Sequence, residues 1–471
     1  MSDLDFASDQ FRALGDRVLR VAADYLSSLS SRPSFPDTSG RETERLLGGA
    51  LPEEGRGDAV LDDLGAIAAH SRPGNGRFFA YVMGSGEPIG ALGDLLAGVL
   101  NQNVTAWRSA PAAVTLERAV VRSLASRIGC DGFTGSLCGG GSAANLMGLA
   151  MAREARLPAN EGGARPGVVY ASTESHMSIA KAVCLLGLGR SNLRLVDVDE
   201  RFRMVPQALA DALRADQAAG RTPIAVVATA GTVNTGAIDP LPALADLARE
   251  HGAWLHVDGA YGALAALAVP ERFGGLALAD SLSLDPHKWL YQPLDCGCLL
   301  YQDAGRARHA FSRSGDYAKP LSGDPVEGFA FFDESLELSR RFRALRLWLS
   351  ISFHGLAKFR SAIRADLAHA GRLAAAIGAR SDLELLAPVE LSAVCWRWVG
   401  EPRRPEGLLD AANSAILRRV IERGRVYISN ATIHSRFALR ACFTNHRTNE
   451  ADVDAVVDEV IAAAEELQRE G

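Results

Sequence analysis

The stretch Asp280-Ser-Leu-Ser-Leu-Asp-Pro-His-Lys288-Trp289 decides how the rest of the chain is interpreted. It begins with a short apolar-alternating run, residues 281–284, that is typical of a buried strand, and Pro286 ends that strand. Lys288 therefore follows the carboxyl end of a core strand, which is the edge where a doubly wound α/β sheet places its ligands. A single lysine there could equally be a solvated loop charge, so its meaning depends on its neighbours.

A second strand upstream ends in a carboxylate. The segment Ala253-Trp-Leu-His-Val-Asp258-Gly-Ala260-Tyr261 is apolar up to Asp258, apart from one histidine. Pyridoxal 5′-phosphate (PLP) is held in proteins as a lysine Schiff base, with an acidic partner on its pyridine nitrogen. Burial favours the neutral amine that an imine needs, and a nearby carboxylate favours the protonated pyridine nitrogen. The pair predicts a PLP site in which Lys288 carries the cofactor and Asp258 makes it an electron sink.

The composition is that of a globular protein with more than one domain. The chain has 471 residues, 48% of them hydrophobic and 23% charged, and a formal net charge of −6. That length exceeds one hydrophobic core, and the charge balance does not indicate a nucleic-acid partner. We see no signal segment and no apolar run as long as a membrane span. The seven cysteines lack a C-x-x-C pair and fall mostly in apolar runs, so we expect reduced thiols, a cytoplasmic protein and no metal site.

The order of predicted elements divides the chain into three regions. Residues 1–87 predict helices whose apolar stripes have no sheet of their own, so we expect them to pack on a partner subunit. Strands and helices alternate in residues 88–360, which favours a large α/β domain with a mostly parallel, seven-stranded type of sheet covered on both faces. Residues 361–471 predict a small C-terminal α+β domain. Its expected strands are residues 383–386, 393–399, 426–429 and 437–443.

A glycine-rich run leads into an apolar helix. It reads Ser136-Leu-Cys-Gly-Gly140-Gly141-Ser142-Ala-Ala-Asn145. Glycines permit close backbone approach, and a helix N-terminus offers unpaired N–H groups and the positive end of the helix dipole. The run therefore suits a 5′-phosphate. It is not a G-x-G-x-x-G dinucleotide fingerprint, and a tight strand–helix turn without a ligand is the alternative interpretation.

A histidine opens the helix after another predicted strand. His176 follows Ser175 at the same ligand edge of the sheet, and Ser175 is the expected helix N-cap. Alone, His176 would be a capping or core histidine. Beside a PLP site we interpret it as an imidazole stacked on the pyridine ring. The turn at residues 231–236 follows a further strand end and should border the same site.

Two loops could cover the site. Residues 72–86 hold the cluster Phe78-Phe79-Ala80-Tyr81 between glycines, which fits either a pocket lining or a hydrophobic plug. The segment between Tyr301 and Arg340 has no clear periodicity. Loops of that length are often lids, which exclude water from reactive intermediates.

These residues together resemble the group II PLP-dependent amino-acid decarboxylases, the family that includes aromatic L-amino-acid decarboxylase. Its signature blocks resemble His-Val-Asp258-Gly-Ala260-Tyr, Pro-His287-Lys288-Trp-Leu and Arg340-Arg-Phe-Arg-Ala-Leu. The resemblance covers most of the chain. It implies a fold-type I, PLP-dependent transferase-like homodimer with active sites at the subunit interface. The implied reaction removes CO2 from an L-amino acid and leaves the amine.

The resemblance also implies a role for each site residue. Lys288 would bind PLP, Asp258 would pair with the pyridine nitrogen, and His176 would stack on the ring. The remaining cofactor contacts would be Gly140, Gly141, Ser142, Val233, Ala260, Asp285 and His287. Tyr317 falls at the position of the family's lid tyrosine, which protonates the carbanion after CO2 leaves and comes from the neighbouring subunit.

Several positions depart from the aromatic-acid members of the family. Val233 and Thr105 replace a threonine and a pocket phenylalanine, Val82-Met83 replaces a Phe-Pro pair, and Asp285 stands where the best-known member has asparagine. An aromatic amino acid remains the first choice of substrate because aromatic side chains stay nearby. The expected pocket residues are Phe79, Tyr81, Thr105 and Trp107.

Other functions remain open on the same residues. An aromatic aldehyde synthase, an aminotransferase, or a decarboxylase of an acidic or diamino acid would use the same scaffold. A catalytically silent PLP-fold binding protein would need a broken site, whereas Lys288, Asp258, His176 and Tyr317 are all present. A dinucleotide oxidoreductase is disfavoured by the glycine pattern.

Overall fold

The fold is organised around a seven-stranded sheet, seen in a computed structural model that describes residues 4–313 and 323–470. The strands are β1 (Thr134–Cys138), β2 (Gly167–Ser172), β3 (Leu193–Val196), β4 (Thr222–Thr229), β5 (Trp254–Asp258), β6 (Ser281–Leu284) and β7 (Gly297–Tyr301). They lie in the order β1-β7-β6-β5-β4-β2-β3. Only β7 runs antiparallel to its neighbours in this sheet. The prediction of a mostly parallel α/β sheet is confirmed.

Helices cover both faces of this sheet, which explains why its strands are nearly continuous apolar runs. The α-helices of the described residues, whichever sheet they pack on, are α1 (Ser8–Ser28), α2 (Gly40–Leu47), α3 (Leu64–His70), α4 (Pro88–Leu100), α5 (Pro111–Arg127), α6 (Gly141–Arg156), α7 (Met177–Leu185), α8 (Pro206–Ala218), α9 (Leu241–Glu250), α10 (Pro286–Trp289), α11 (Ala304–Phe311), α12 (Arg343–His354), α13 (Leu356–Gly378), α14 (Glu406–Arg423) and α15 (Glu450–Glu470). Successive residues of β2 show the two faces. Val168 and Tyr170 pack in the core with α5, α8 and α9, whereas Val169 and Ala171 pack with α6, α7 and α11.

A second, four-stranded antiparallel sheet lies in the C-terminal part of the chain. Its strands are β8 (Leu383–Leu385), β9 (Ala393–Trp398), β10 (Ser429–Ile433) and β11 (Arg436–Cys442), in the order β10-β11-β9-β8. Helices α13, α14 and α15 complete its core. The helical segment before it is interrupted at Gly355, where a φ of 75° separates α12 from α13.

One predicted strand of this sheet was placed too early. Residues 426–429 were expected as a strand, but β10 begins only at Ser429. Tyr427 instead pairs with the N-terminal segment, because its N–H donates to the carbonyl of Arg77 and its carbonyl accepts from the N–H of Phe79. The apolar pattern was real, but the pairing partner comes from the far end of the sequence.

The N-terminal helices contribute little to either core. Helix α1 has no buried residue, although its exposed side chains include Phe11, Val18 and Leu19. Arg17 of α1 bonds to Asp58 and Asp62, which hold a short 3₁₀ helix at residues 57–63 against it. Helix α1 therefore carries an apolar surface that the described part of the chain leaves uncovered.

The seven cysteines are all free thiols, and six of them are buried. Burial raises the pKa of Cys130, Cys138, Cys296 and Cys395 to about 12. Cys184, on α7, is the exposed one. Within the described residues, every helix is too short or too polar to cross a membrane.

Candidate active site

The carboxyl ends of adjacent strands bring the predicted site residues to one edge of the sheet. Asp258 ends β5 and lies opposite Ser283 of the parallel neighbour β6. The chain leaves β6 at Leu284 and turns at once into α10, which carries Lys288. The turn at residues 231–236 leaves β4, the strand on the other side of β5. The sheet-edge placement expected from the sequence therefore follows from strand order.

Three donors hold the carboxylate of Asp258, which is only 5% exposed. Its Oδ1 accepts from the backbone N–H of Ala260 and from the hydroxyl of Ser283, both at 3.1 Å. Its Oδ2 accepts from the amide of Asn145 at 2.9 Å. All three partners donate, so both oxygens of the carboxylate are held in fixed positions. A carboxylate has about four lone-pair sites, which leaves capacity for one more donor.

The amine of Lys288 forms an ion pair in the same place. Its Nζ lies 3.0 Å from Oδ2 of Asp285, and Nε2 of His287 lies 3.6 Å from the same oxygen. Nδ1 of His287 accepts the backbone N–H of Cys296 at 3.2 Å. Burial lowers the pKa of His287. Because its Nδ1 accepts a hydrogen bond, the ring proton lies on Nε2. The other Asp285 oxygen, Oδ1, is buried and has no hydrogen-bond partner among the described residues.

The glycine-rich run forms a close-packed wall beside this ion pair. A Cβ atom on Gly141, the first residue of α6, would lie 2.6 Å from the Cβ of Ala260 and 3.0 Å from Oδ2 of Asp285. Gly140 has a φ of 132°, and its Cα would lie 2.3 Å from a Cβ on Gly297. The backbone at the start of α6 can approach this closely only because these positions lack side chains.

These residues fit PLP. The spare acceptor on Asp258 suits a protonated ring nitrogen, and the amine of Lys288 suits an imine. The N-terminus of α6, lined by glycine, suits a phosphate. The unpaired buried oxygen of Asp285 also indicates that a polar group belongs between Lys288 and α6.

His176 lies within electrostatic reach of both ends of this arrangement. Burial lowers its pKa; Lys288 lowers it further, whereas Asp258 and Asp285 raise it. Its Nδ1 accepts from the backbone N–H of Ser178 at 3.2 Å and lies 2.8 Å from the Ser178 hydroxyl. His176 is thus the N-cap of α7, and the prediction of Ser175 as the cap is wrong. An imidazole nitrogen replaces the usual hydroxyl as the capping acceptor.

Four polar residues at the site were not predicted from the sequence. Asn145, Ser178, Ser283 and His256 lie in segments that appear apolar. The amide of Asn145 donates to Asp258 and to Ser178, and its Oδ1 lies 2.9 Å from Nε2 of His256. A buried side-chain amide needs hydrogen-bond partners, so an asparagine at the start of an apolar helix was the signal available.

Arg440 of β11 joins two segments near the site. Its guanidinium donates to the carbonyls of Tyr81, Val233 and Asn234. Tyr81 has a φ of 62°, which is unusual for a residue other than glycine, and the hydrogen bond from Arg440 to its carbonyl holds that backbone conformation in place. Tyr81 is 57% exposed. The sequence did not indicate Arg440, because no local pattern shows that an arginine in a strand donates hydrogen bonds to distant backbone carbonyls.

The predicted substrate residues separate into different environments. Phe79 is fully buried and its ring lies 5.0 Å from that of Phe443, so it belongs to the core of the small sheet and we leave it out of the pocket. The backbones of Thr105 and Trp107 pair with residues 329–331. Tyr317 lies outside the described residues.

A protein-family model matches most of the chain. The model of the pyridoxal-dependent decarboxylase conserved domain matches residues 45–399. An aromatic-L-amino-acid decarboxylase of Bacillus atrophaeus is 32% identical, over 99% of this chain and 98% of that protein. A 4-hydroxyphenylacetaldehyde synthase of Rhodiola rosea is 31% identical, over 93% of this chain and 91% of that protein.

Solved structures agree with the sequence relatives. The crystal structure of Oryza sativa TDC with PLP and tryptamine has a TM-score of 0.92 and 28% identity, and 99% of each chain is covered. Mouse CSAD has a TM-score of 0.91 and 27% identity, with 98% of this chain and 99% of that chain covered. Because sequence and fold agree along nearly the whole length, the chain belongs to the pyridoxal-dependent decarboxylase family and is a PLP-dependent carboxy-lyase acting on an amino acid.

Proposed function

We propose that the protein converts an aromatic L-amino acid to its amine and CO2, with PLP bound through Lys288. The observation that supports this most directly is the meeting of three groups at one edge of the sheet: the carboxylate of Asp258 at the end of β5, the amine of Lys288 after β6, and the glycine-lined start of α6. His176 lies close enough to interact electrostatically with Lys288 and with Asp258. PLP, when bound, supplies the electron sink for the pair of electrons that CO2 loss leaves on Cα.

Side chains of the protein itself would position the cofactor and transfer the protons. Asp258, whose carboxylate accepts three hydrogen bonds, would hold the proton on the ring nitrogen of PLP. Asp285 orients the amine of Lys288 at 3.0 Å. His176 would contact the ring, and the phenol of Tyr317, outside the described residues, would deliver a proton to Cα.

We propose that phosphate binding falls to the start of α6. Gly140, Gly141 and Ser142 provide a glycine-lined helix N-terminus, and the neutral ring of His287 carries a proton on Nε2 that it can donate. Ala260 supplies the wall opposite Gly141, at a separation that only glycine permits. Backbone N–H groups and a neutral donor bind a phosphate without the cost of burying another charge.

An aromatic substrate is favoured by the relatives. The Bacillus relative is an aromatic-L-amino-acid decarboxylase, and others are tryptophan and tyrosine decarboxylases of plants. The exposed ring of Tyr81, held beside Val233 by Arg440, would contact the substrate side chain. Thr105 and Trp107 remain pocket residues in this proposal.

We further propose that the protein is a homodimer with its active sites at the interface, and that residues 1–87 pack on the partner subunit. The uncovered apolar side chains of α1 support this. Helix α4 adds a larger exposed set: Leu92, Leu95, Leu96, Val99 and Leu100. A large apolar patch on one subunit is typical of an interface. Residues 88–360 would form the cofactor domain and residues 361–471 the small domain, in a cytoplasmic protein with reduced thiols.

A substrate screen tests the reaction. Purified protein with added PLP is incubated with aromatic amino acids, dihydroxyphenylalanine, glutamate and diaminobutyrate, and CO2, amine, aldehyde and peroxide are measured. We expect equimolar CO2 and amine from at least one aromatic amino acid, and neither from a Lys288→Ala variant. Turnover confined to glutamate or diaminobutyrate would refute the aromatic assignment, and aldehyde with peroxide would make the protein an aldehyde synthase. Light scattering that gives a monomer would refute the dimer.

A further inference from the structure

We propose that His256 is a positioning residue for the decarboxylase, which acts by fixing the amide of Asn145 against the carboxylate of Asp258. The inference rests on the proposed role of Asp258 toward the ring nitrogen of PLP. It assigns a function to a polar residue in the middle of a core strand. His256 lies two residues before Asp258 in β5, so both side chains point to the same face of the sheet.

The contacts of His256 form part of a continuous buried chain. Its Nε2 lies 2.9 Å from Oδ1 of Asn145, and its Nδ1 lies 2.8 Å from the hydroxyl of Ser281. The same hydroxyl accepts the indole N–H of Trp254 at 2.8 Å. Asn145 continues the chain to Oδ2 of Asp258 at 2.9 Å. Asn145, His256 and Ser281 are fully buried, so water does not compete for these bonds.

The chemistry of the partners fixes where every proton lies. The indole of Trp254 can only donate, and the Oδ1 atom of Asn145 can only accept. His256 therefore donates from Nε2, and its Nδ1 accepts from the hydroxyl of Ser281. Burial lowers the pKa of His256 to about 4, which keeps the ring neutral, as this pattern requires.

All four hydrogen bonds consequently point in one direction, from Trp254 to Asp258. Hydrogen bonds in such a chain polarise one another, so the last donor is strengthened toward the carboxylate. The chain also decides the orientation of Asn145. If His256 did not donate to its oxygen, the amide could turn and present Oδ1 to Asp258, where two acceptors would repel.

Helix α6 is shaped to admit the imidazole. A Cβ atom on Gly148 would lie 2.5 Å from Cε1 and 2.6 Å from Nδ1 of His256, closer than a side chain permits. Gly148 lies one turn after Asn145 on the same helix, so one face of α6 supplies both the contact and the space. The second N–H of Asn145 goes to Ser178, which in turn bonds Nδ1 of His176. His256 thus orients the amide that serves two of the proposed cofactor contacts.

A comparison of two cofactors tests this role without using turnover. Full-length protein freed of cofactor is titrated with PLP and with an analogue that has C–H in place of the ring nitrogen. His256→Leu should weaken PLP binding by about tenfold, in line with hydrogen bonds to charged groups, and leave binding of the analogue nearly unchanged. His256→Gln should retain the preference for PLP, because its amide offers one donor and one acceptor in similar positions.

The outcomes separate this inference from the proposed function. Equal weakening of both ligands by His256→Leu would make His256 merely structural, and a Gln variant no better than Leu would overturn the proposed direction of the bonds. If His256→Leu does not fold, Ser281→Ala replaces it in the same titration. A smaller loss of the preference for PLP would support the hydrogen-bonded chain of side chains, and an unchanged preference would overturn it. Asp258→Asn should abolish the preference. If it does not, the role of Asp258 is refuted, and the role of His256 with it.

Discussion

The closest packing at the proposed cofactor site gives a quantitative prediction for Gly141→Ala. The added Cβ would lie 2.6 Å from the Cβ of Ala260 and 3.0 Å from Oδ2 of Asp285. Carbon atoms in contact are normally about 3.5–4.0 Å apart, so roughly 1 Å of movement is needed. Overpacking of this kind costs about 1–3 kcal/mol. The wall that must move is the backbone whose N–H bonds Asp258.

We therefore expect Gly141→Ala to lose both stability and cofactor affinity. The free energy of unfolding of the cofactor-free protein should fall by about 1–3 kcal/mol in urea denaturation. The dissociation constant for PLP should rise by about tenfold, which corresponds to a loss of about 1.4 kcal/mol of binding free energy, because the displaced backbone carries the N–H that bonds Asp258. Absorbance titration of the stripped protein with PLP measures the second quantity directly.

The matched control is Gly371→Ala in α13. A Cβ there meets no atom within 4 Å, and alanine stabilises a helix interior by about 0.5–1 kcal/mol relative to glycine. The control should therefore be neutral or stabilising and should leave PLP affinity unchanged. Wild-type stability and affinity in Gly141→Ala would show that the close approach of α6 to the strand ends is not needed, and would refute the reasoning.

Three further predictions use features elsewhere in the chain. Burial raises the pKa of Asp366 to about 7. The folded state therefore holds this proton more tightly than the unfolded state does. The stability that results is lost as the pH rises from about 4 to about 7, by about 1.4 kcal/mol per pH unit. Asp366→Asn should flatten that decline in urea unfolding at several pH values, and an unchanged slope would contradict it. Glu117 and Arg340 form an ion pair with no exposed side-chain surface, so Glu117→Leu should cost about 3–5 kcal/mol in the same assay. The exposed carboxylate of Asp246 is the control, since Asp246→Asn should cost less than about 1 kcal/mol. Tyr317→Phe should lose amine and gain aldehyde, ammonia and peroxide in product analysis, and unchanged amine output would remove Tyr317 from the mechanism.

The sequence predicted the parts of the fold that depend on local pattern. Continuous apolar runs marked the parallel strands, and Pro286 marked the end of β6. Pairing between distant segments was not predictable in this way. Residues 426–428 have a strand-like pattern, but Tyr427 bonds to Arg77 and Phe79, and only the folded chain brings these two segments together.

The residues of the candidate site also differ in whether a local sequence pattern reveals them. Lys288 and Asp258 stand out because each follows an apolar run, so strand order alone brings them to one edge. Asn145 and His256 are hidden inside such runs, and their meaning depends on each other across two elements. Phe79 was misassigned because an aromatic residue in a loop gives no sign of which core it enters. Contacts between side chains that are far apart in the sequence could therefore not be predicted.

The uneven exposure of the cysteines has a practical consequence. Six thiols are buried, and Cys184 alone reaches solvent from α7, the helix that His176 begins. Since thiolates react and buried thiols stay protonated, a maleimide dye should attach to the native protein at a single place without mutagenesis. A fluorescent label can therefore be attached to the wild-type protein on α7, the helix that His176 caps.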